Sequence, residues 1–382
     1  MQTREHFLIP QASGTQRRLI SQHFGTPGAR PKVVLQASLH ADELPGMLTL
    51  HHLRTLLQQA QARGEVQGEV VLIPVANPIG LDQTVMHSQL GRFELATASN
   101  FNRDYPRFAD WLTEPGHDVW ERLGTDADTN VTVIRQAMAE ALQRHPPVTE
   151  LDSLRHTLMT LAHDADVALD LHCDFEAAVH LYLEPPCMAA LMPLAALLEA
   201  KAVLVAEGSG GHCYDEALSG VWWQLAQRLR DHHGSRADAR PIPQGCASTT
   251  VELRGQTDVT HAQAEGDAQA LLAYLIHLGA VSGPPPQLPD ACCAPTPLAG
   301  TQILQAPHPG VLVYHREPGD TLQPGDLVAD IIEPMSGRTT SLHAEVHGVL
   351  YARHIVRWAT TGLEVGKVSG LEARRTGPLL SA

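Results

Sequence analysis

The chain contains 382 residues, a length that favours one large domain with a smaller one beside it. Its composition, 43% hydrophobic and 18% charged, is that of a globular protein and excludes a disordered chain. The formal net charge of −15 argues against a nucleic-acid partner, because binding to phosphates needs a basic face.

Apolar runs alternate with helical segments through the first 281 residues, which predicts an α/β domain with a largely parallel sheet. Two helices are predicted, over residues 44–62 and 261–278, from the helical spacing of their apolar positions. Strands are predicted at residues 33–39, 69–75, 165–171, 178–183, 202–206 and 249–253.

Residues 282–300 contain six prolines and are predicted to form an extended linker. After it, residues 301–382 show short strand patterns joined by Pro-Gly-Asp turns, which predict a small all-β domain. This region resembles the barrel-sandwich of biotin- and lipoyl-carrying domains. A carrier needs a lysine at a hairpin tip, and residues 301–366 contain none, so we expect a lid or an assembly module. Its histidines are expected on the surface or in the core: 308, 315, 343, 347 and 354.

The sequence contains no signal for membranes or secretion. No apolar run is long enough to cross a bilayer, and the first residues lack the charged and apolar regions of a signal peptide. The cysteines form no CxxC pair, which favours reduced thiols and a cytoplasmic location. They stand at Cys173, Cys187, Cys213, Cys246, Cys292 and Cys293.

A candidate metal site begins where the first predicted strand ends. His40 is followed three positions later by Glu43, and zinc accepts both imidazole and carboxylate ligands. The alternative is that His40 only ends the strand and Glu43 lies in the first helical turn, where negative charge is favoured. A third ligand is available in His172, which ends another predicted strand. A metal-bound histidine usually donates its second ring proton to a carboxylate, and Asp170 and Asp174 are both candidates.

Three further polar positions complete the candidate site. Glu252 lies within an apolar strand, where a carboxylate is costly unless it is paired or functional, so it is a candidate general base. A pair with Arg254 is the alternative. Arg92 and Arg103 could clamp a substrate carboxylate or stabilise an oxyanion, although most surface arginines do neither.

Taken in chain order, these residues resemble the zinc carboxypeptidase superfamily, and most of all the succinylglutamate desuccinylase/aspartoacylase family. The resemblance extends over residues 30–280. The matching positions are His40-x-x-Glu43, Asn77-Pro-x-Gly80, Arg92, Asn102-Arg103, Asp170-x-His172 and Glu252-Leu-Arg.

The resemblance implies a carboxypeptidase-like sheet flanked by helices and one zinc ion on His40, Glu43 and His172. It also implies that Glu252 is the general base and acid, and that Arg92 polarises the scissile carbonyl. Asn102 and Arg103 would hold the free carboxylate of the substrate. One departure concerns the ligand loop: deacylases usually read Gly-x-His-Gly-Asn-Glu, whereas this chain reads Ser-Leu-His-Ala-Asp-Glu.

The function expected from this set is hydrolysis of the amide bond of an N-acyl amino acid or similar small amide. A zinc carboxypeptidase acting on peptides is the alternative within enzymes. A non-catalytic protein that binds small acids is the alternative of another class, and the complete set of ligands and base argues against it. A homo-oligomer is compatible with this interpretation.

Overall fold

The computed structural model of the chain describes residues 1–290 and 293–380, so Cys292 lies outside the described residues. Cys173, Cys187, Cys213 and Cys246 are free thiols. The helices are α1 (Pro45–Ala62), α2 (Pro78–Leu81), α3 (Phe108–Trp111), α4 (Ala127–Arg144), α5 (Glu150–Ala162), α6 (Met188–Leu197), α7 (Tyr214–His233) and α8 (His261–His277).

The strands, in chain order, are β1 (Gln2–Phe7), β2 (Arg18–Gly25), β3 (Lys32–Ala37), β4 (Glu69–Ile73), β5 (Thr84–Val85), β6 (Ser88–Gln89), β7 (Val167–Asp174), β8 (Glu176–Ala177), β9 (His180–Leu183), β10 (Ala202–Val205), β11 (Ala247–Gly255), β12 (Thr296–Pro297), β13 (Gln302–Gln305), β14 (Gly310–Tyr314), β15 (Thr321–Leu322), β16 (Leu327–Glu333), β17 (Arg338–His343), β18 (Gly348–Arg353), β19 (Trp358–Ala359) and β20 (Glu364–Val368).

A large mixed sheet forms the centre of the molecule, with strand order β1-β2-β4-β3-β7-β11-β9-β10-β12. Strands β4, β3, β7 and β11 are parallel, whereas β9 is antiparallel to β11 and the β1-β2 hairpin forms an antiparallel edge. The predicted strands and both predicted helices are present. The predicted α/β class with a largely parallel sheet is therefore confirmed.

Helices cover both faces of this sheet. Strand alternation directs Val33 and Leu35 into one core, with α1, α6 and α8, and directs Val34 into the other, with α4, α5 and α7. Strands buried on both faces read as continuous apolar runs, which explains why they were recognisable in the sequence. In the described residues no helix is long and apolar enough to cross a membrane.

The C-terminal region forms two small antiparallel sheets, β13-β20-β18-β15 and β17-β16-β14-β19, around a core of its own. The predicted all-β region is therefore confirmed. Two short strands connect it with the large sheet: β8 pairs with β18, and β12, inside the predicted linker, pairs with β10.

An ion pair also joins the two parts of the molecule. Lys367 of β20 donates to the Asp174 carboxylate at the end of β7, with Nζ 2.7 Å from Oδ2. Burial opposes the charge on Lys367, but the neighbouring Asp174 raises the pKa of its ammonium group above the usual value.

Lys367→Met is expected to lower the free energy of unfolding by about 2–3 kcal/mol, because the largely buried Asp174 carboxylate loses its counter-charge. Urea unfolding followed by circular dichroism measures the change. The double variant Lys367→Met/Asp174→Asn should regain part of the loss, since it leaves no unpaired charge. A single variant as stable as the wild type would show that the pair does not hold the two parts together.

Candidate active site

The loop between β3 and α1 carries the first two candidate ligands. It begins at Ser38, whose φ of 64° lies in the left-handed region favoured by glycine, the residue usual here in the resembling family. Gly91 packs against the loop so closely that a Cβ would lie 2.2 Å from the backbone nitrogen of Asp42. The Asn77 side chain donates to the carbonyl of Leu39 at 2.8 Å, so the Asn77-Pro-x-Gly80 turn also supports this loop.

His40, Glu43 and His172 converge on one point, and one ligand atom from each lies within 4.8 Å of the others. The Nδ1 atom of His40 is 2.9 Å from one carboxylate oxygen of Glu43, and the Nδ1 atom of His172 is 2.7 Å from the other. All three side chains are buried. This cluster could hold a metal ion, and three ligands leave a position for water or substrate, as in catalytic zinc sites.

The outer ring nitrogens of both histidines have fixed acceptors. The Nε2 atom of His172 is 2.8 Å from Asp170, whose other oxygen accepts a hydrogen bond from Gln36 at 3.0 Å. The Nε2 atom of His40 is 2.9 Å from the side-chain oxygen of Asn100. These contacts orient both Nδ1 atoms towards Glu43. Asp170 therefore takes the supporting position that the sequence left open between it and Asp174.

The charges in the cluster suit a cation. Burial and the Arg92 guanidinium lower the pKa of His40 to about 4, so its imidazole is neutral, the form that binds metals. Burial opposes ionisation of Glu43, but His40 and His172 hold the pKa of this carboxyl well below its usual range. The cluster therefore offers a carboxylate and an unprotonated imidazole to an ion.

Glu252 lies on β11, directly beside His172 in the neighbouring strand β7. Its Oε2 atom is buried and has no hydrogen-bond partner in the described residues. Burial, and then the nearby charge of Glu43, raise the pKa of Glu252 to about 8. The alternative pair with Arg254 is not formed, since Arg254 donates to Asp267 at 3.2 Å.

The remaining candidates lie around the same cavity, which has a volume of about 320 Å³. Arg92 is at the edge of the cluster, with Nη1 3.2 Å from Nδ1 of His40 and 3.4 Å from Oε1 of Glu43. Asn102 accepts a hydrogen bond from the backbone of Tyr214 at 2.9 Å, which fixes its side chain. Arg103 donates to the carbonyl of Asn102 at 2.7 Å. The structure thus brings all seven predicted site residues to one cavity.

Comparisons with known proteins agree with this geometry. A family model described as the succinylglutamate desuccinylase/aspartoacylase catalytic domain matches residues 29–126, which include five of the seven site residues. A solved structure of a protein assigned to that family, from Shewanella amazonensis SB2B, is 27% identical with a TM-score of 0.81, and the match covers 97% of this chain and 98% of that one. The resemblance to the succinylglutamate desuccinylase/aspartoacylase family is confirmed.

Two further solved structures show the same fold at lower identity. One, from Shewanella frigidimarina NCIMB 400, is 24% identical with a TM-score of 0.80, and the match covers 96% of both chains. The other is the product-bound ectoine utilization protein EutE from Ruegeria pomeroyi, 18% identical with a TM-score of 0.62, over 96% of this chain and 95% of that one. A search of curated proteins found no match. The similarity to a family of deacylases, together with a cluster able to hold a metal ion, points to a hydrolase.

Several residues around the site were not predicted. Asn100 and Gln36 support the cluster, and no local sequence signal marks either of them. Several more carboxylates line the cavity, among them Glu184, Asp215 and Glu216. Glu184 directly follows the predicted strand at residues 178–183, so the strand-end reasoning that found His172 could have found it.

Glu184→Gln is expected to stabilise the protein at high pH. Burial raises the pKa of Glu184 to about 8, whereas an unfolded chain releases this proton near pH 4.5. Between these values the folded state holds more protons, so the contribution of Glu184 to stability falls as pH rises. The variant should therefore exceed the wild type by about 2–4 kcal/mol at pH 9 and match it near pH 4.5. Urea unfolding across this pH range tests the trend, and a pH-independent difference would contradict it.

Proposed function

We propose that this protein is a zinc-dependent deacylase that hydrolyses the amide bond of an N-acyl amino acid to a carboxylate and an amine. One observation carries the proposal. A cluster of two imidazoles and one carboxylate faces the same cavity as Glu252, a carboxylate without a partner in the described residues. A metal ion that only stabilises the fold needs no unpaired carboxylate beside it, whereas hydrolysis needs a group that accepts the proton of water.

The donor set fits zinc. His40 and His172 would each supply Nδ1, because their Nε2 atoms are already placed against Asn100 and Asp170, and Glu43 would supply a carboxylate oxygen. When bound, zinc would act as a Lewis acid towards the acyl carbonyl and towards the attacking water.

The chain's own groups would then move the protons and hold the substrate. Glu252 takes the proton of the attacking water at Oε2 and later returns it to the nitrogen of the leaving amine. Arg92, beside the cluster, donates to the carbonyl oxygen as negative charge develops there. Arg103 and Asn102, on the cavity wall, hold the carboxylate of the amino-acid part by charge-assisted hydrogen bonds.

Metal analysis of the purified protein, combined with amine release from N-acetyl, N-succinyl and longer N-acyl amino acids, tests this proposal. We expect about one zinc ion per chain and hydrolysis of at least one class of N-acyl amino acid. Hydrolysis of peptides alone would favour a carboxypeptidase. A protein that binds no metal, even after zinc is added, would favour a binding protein without catalysis.

The proposal also includes a catalytic domain at residues 1–281, a linker at residues 282–300 and a β-domain at residues 301–382. Glu364 and Lys367 of β20 line the cavity, which supports a role for this β-domain in limiting access to the site. A cytoplasmic location, inferred from the cysteine pattern, completes the proposal.

A further inference from the structure

One wall of the cavity is acidic and belongs to two separate elements. Glu184 directly follows β9, whereas Asp215 and Glu216 lie in the first turn of α7. We call these three residues the acidic wall. The positive end of the helix dipole explains acids at Asp215 and Glu216, but it does not explain Glu184, which is outside the helix.

Glu184 is the most informative member of the acidic wall, because only one of its two carboxylate oxygens has a hydrogen-bond partner in the described residues. Its Oε1 atom accepts a hydrogen bond from the indole of Trp223 at 3.1 Å. Its Oε2 atom has no partner in the described residues, although the residue is only 4% exposed. A buried carboxylate costs several kcal/mol without a partner, so such a group either stays protonated or receives a donor from a ligand.

Asp215 extends the acidic wall towards the metal cluster. Its Oδ2 atom accepts a hydrogen bond from the backbone of Thr250 at 3.1 Å, and Thr250 lies two residues before Glu252 on β11. Burial, and then the neighbouring Glu216, raise the pKa of Asp215 to about 7. Glu216 itself accepts from the backbone of Ser209 at 2.5 Å.

The register of the sheet gives the spacing of Glu184 and Glu252 along the strands. His180 of β9 pairs with Glu252, and Glu184 lies four residues further along the same chain direction. At about 3.3 Å per residue, the backbone of Glu184 is therefore about 13 Å from the level of Glu252. This backbone spacing favours a substrate side chain with several methylene groups over a short one.

The cationic side chains around the cavity are engaged elsewhere. Lys367 binds Asp174 at 2.7 Å, and Arg375 donates to the carbonyl of Leu379 at 2.6 Å. Arg92 contacts Glu43, and Arg103 contacts the carbonyl of Asn102. In the part of the chain that the structure describes, no hydrogen bond or ion pair joins Oε2 of Glu184 to a basic group. A cationic ligand would supply the complementary charge that the described residues do not give to Oε2 of Glu184.

We propose that the acidic wall binds an ammonium or guanidinium group of the substrate. The preferred substrates are then N-acyl derivatives of basic amino acids, with the carboxylate at Arg103 and the cationic end at Glu184 and Asp215. The inference rests on the proposed deacylase function and names its substrate class.

A pair of substrates that differ in charge but hardly in shape tests the proposal. We expect kcat/KM for Nα-acetyl-L-arginine to exceed that for Nα-acetyl-L-citrulline at least tenfold. In Glu184→Gln and in Asp215→Asn this ratio should fall towards one, mainly through the arginine derivative. Glu207→Gln removes a charge from an exposed position, in a neighbouring pocket that also contacts Glu216, and should leave the ratio unchanged. Equal turnover of both substrates by the wild type would overturn the proposal.

Calorimetry on the metal-free protein separates this inference from the proposed function. L-arginine should bind to the wild type at least tenfold more tightly than L-citrulline, and Glu184→Gln should remove the difference. Hydrolysis of neutral or acidic N-acyl amino acids, without a preference for basic ones, would overturn the substrate class alone. If no N-acyl amino acid is hydrolysed, the deacylase function fails, and the binding ratio still decides whether the wall selects cations. Thermal unfolding of each variant verifies that the fold is retained.

Discussion

Glu252→Gln is expected to lower kcat for amide hydrolysis by about a thousandfold while the protein keeps its metal. Glutamine has nearly the same size and shape as glutamate, but its amide cannot accept the proton of water. General acid–base groups contribute 10²- to 10⁴-fold to enzyme rates, and Glu252 would act in both proton transfers. Amine release under saturating substrate measures kcat, and elemental analysis measures the metal.

Two controls make this result specific. Glu364→Gln changes another carboxylate that lines the same cavity from β20, and it should alter kcat only a few-fold. The thermal unfolding midpoint of Glu252→Gln should equal or exceed that of the wild type, because the variant removes a carboxylate whose pKa burial raises to about 8. Full activity in Glu252→Gln would show that another group accepts the proton.

The inner strands of the large sheet could be predicted because the apolar pattern that marks each of them lies within a few consecutive residues. Strand β3 is buried on both faces, so its run of valines and leucine is continuous and recognisable. The N-terminal strand β1 lies at the edge of the sheet with mostly exposed polar residues, and its sequence QTREHF has no apolar pattern. Its place in the sheet comes from pairing with β2, and the residues of β1 alone do not indicate this pairing.

The candidate metal site, too, could be predicted only in part from local sequence. His40 and Glu43 are three residues apart and His172 ends a strand, so spacing and strand ends were enough to select them. Alternation along β7 places Asp170 and Asp174 on the same face as His172, and it could not choose between them. The choice is made by Lys367, 193 positions after Asp174, which binds that carboxylate and leaves Asp170 to the histidine.

The acidic wall could not be predicted for a related reason. Glu184 and Asp215 are ordinary acids in the sequence, and only the packing of α7 against β11, the neighbour of β9 in the sheet, brings them to one cavity. Specificity of this kind is a property of tertiary packing, whereas the ligand spacing that identifies the chemistry is a property of short segments.

His172→Ala should lower zinc affinity more than a thousandfold and abolish hydrolysis. The variant loses one of three protein ligands and leaves the Asp170 carboxylate buried without its imidazole partner. Competition with a chromophoric chelator measures the affinity, and amine release measures the activity. Asp170→Asn keeps an acceptor for the Nε2 proton but removes the charge, so its affinity should fall only about 10- to 100-fold, as expected for outer partners of metal ligands.

His180→Gln serves as the matched control for loss of a buried histidine. His180 lies on β9, across β11 from His172, and its Nδ1 atom contacts the carbonyl of Ala178 at 2.8 Å rather than the cluster. Its zinc affinity should equal that of the wild type. If His172→Ala and His180→Gln lost zinc equally, the metal would depend on the general integrity of the sheet. A graded loss from His172→Ala through Asp170→Asn to His180→Gln would follow contact with the ion, because His172 would bind it, Asp170 supports that ligand and His180 does neither.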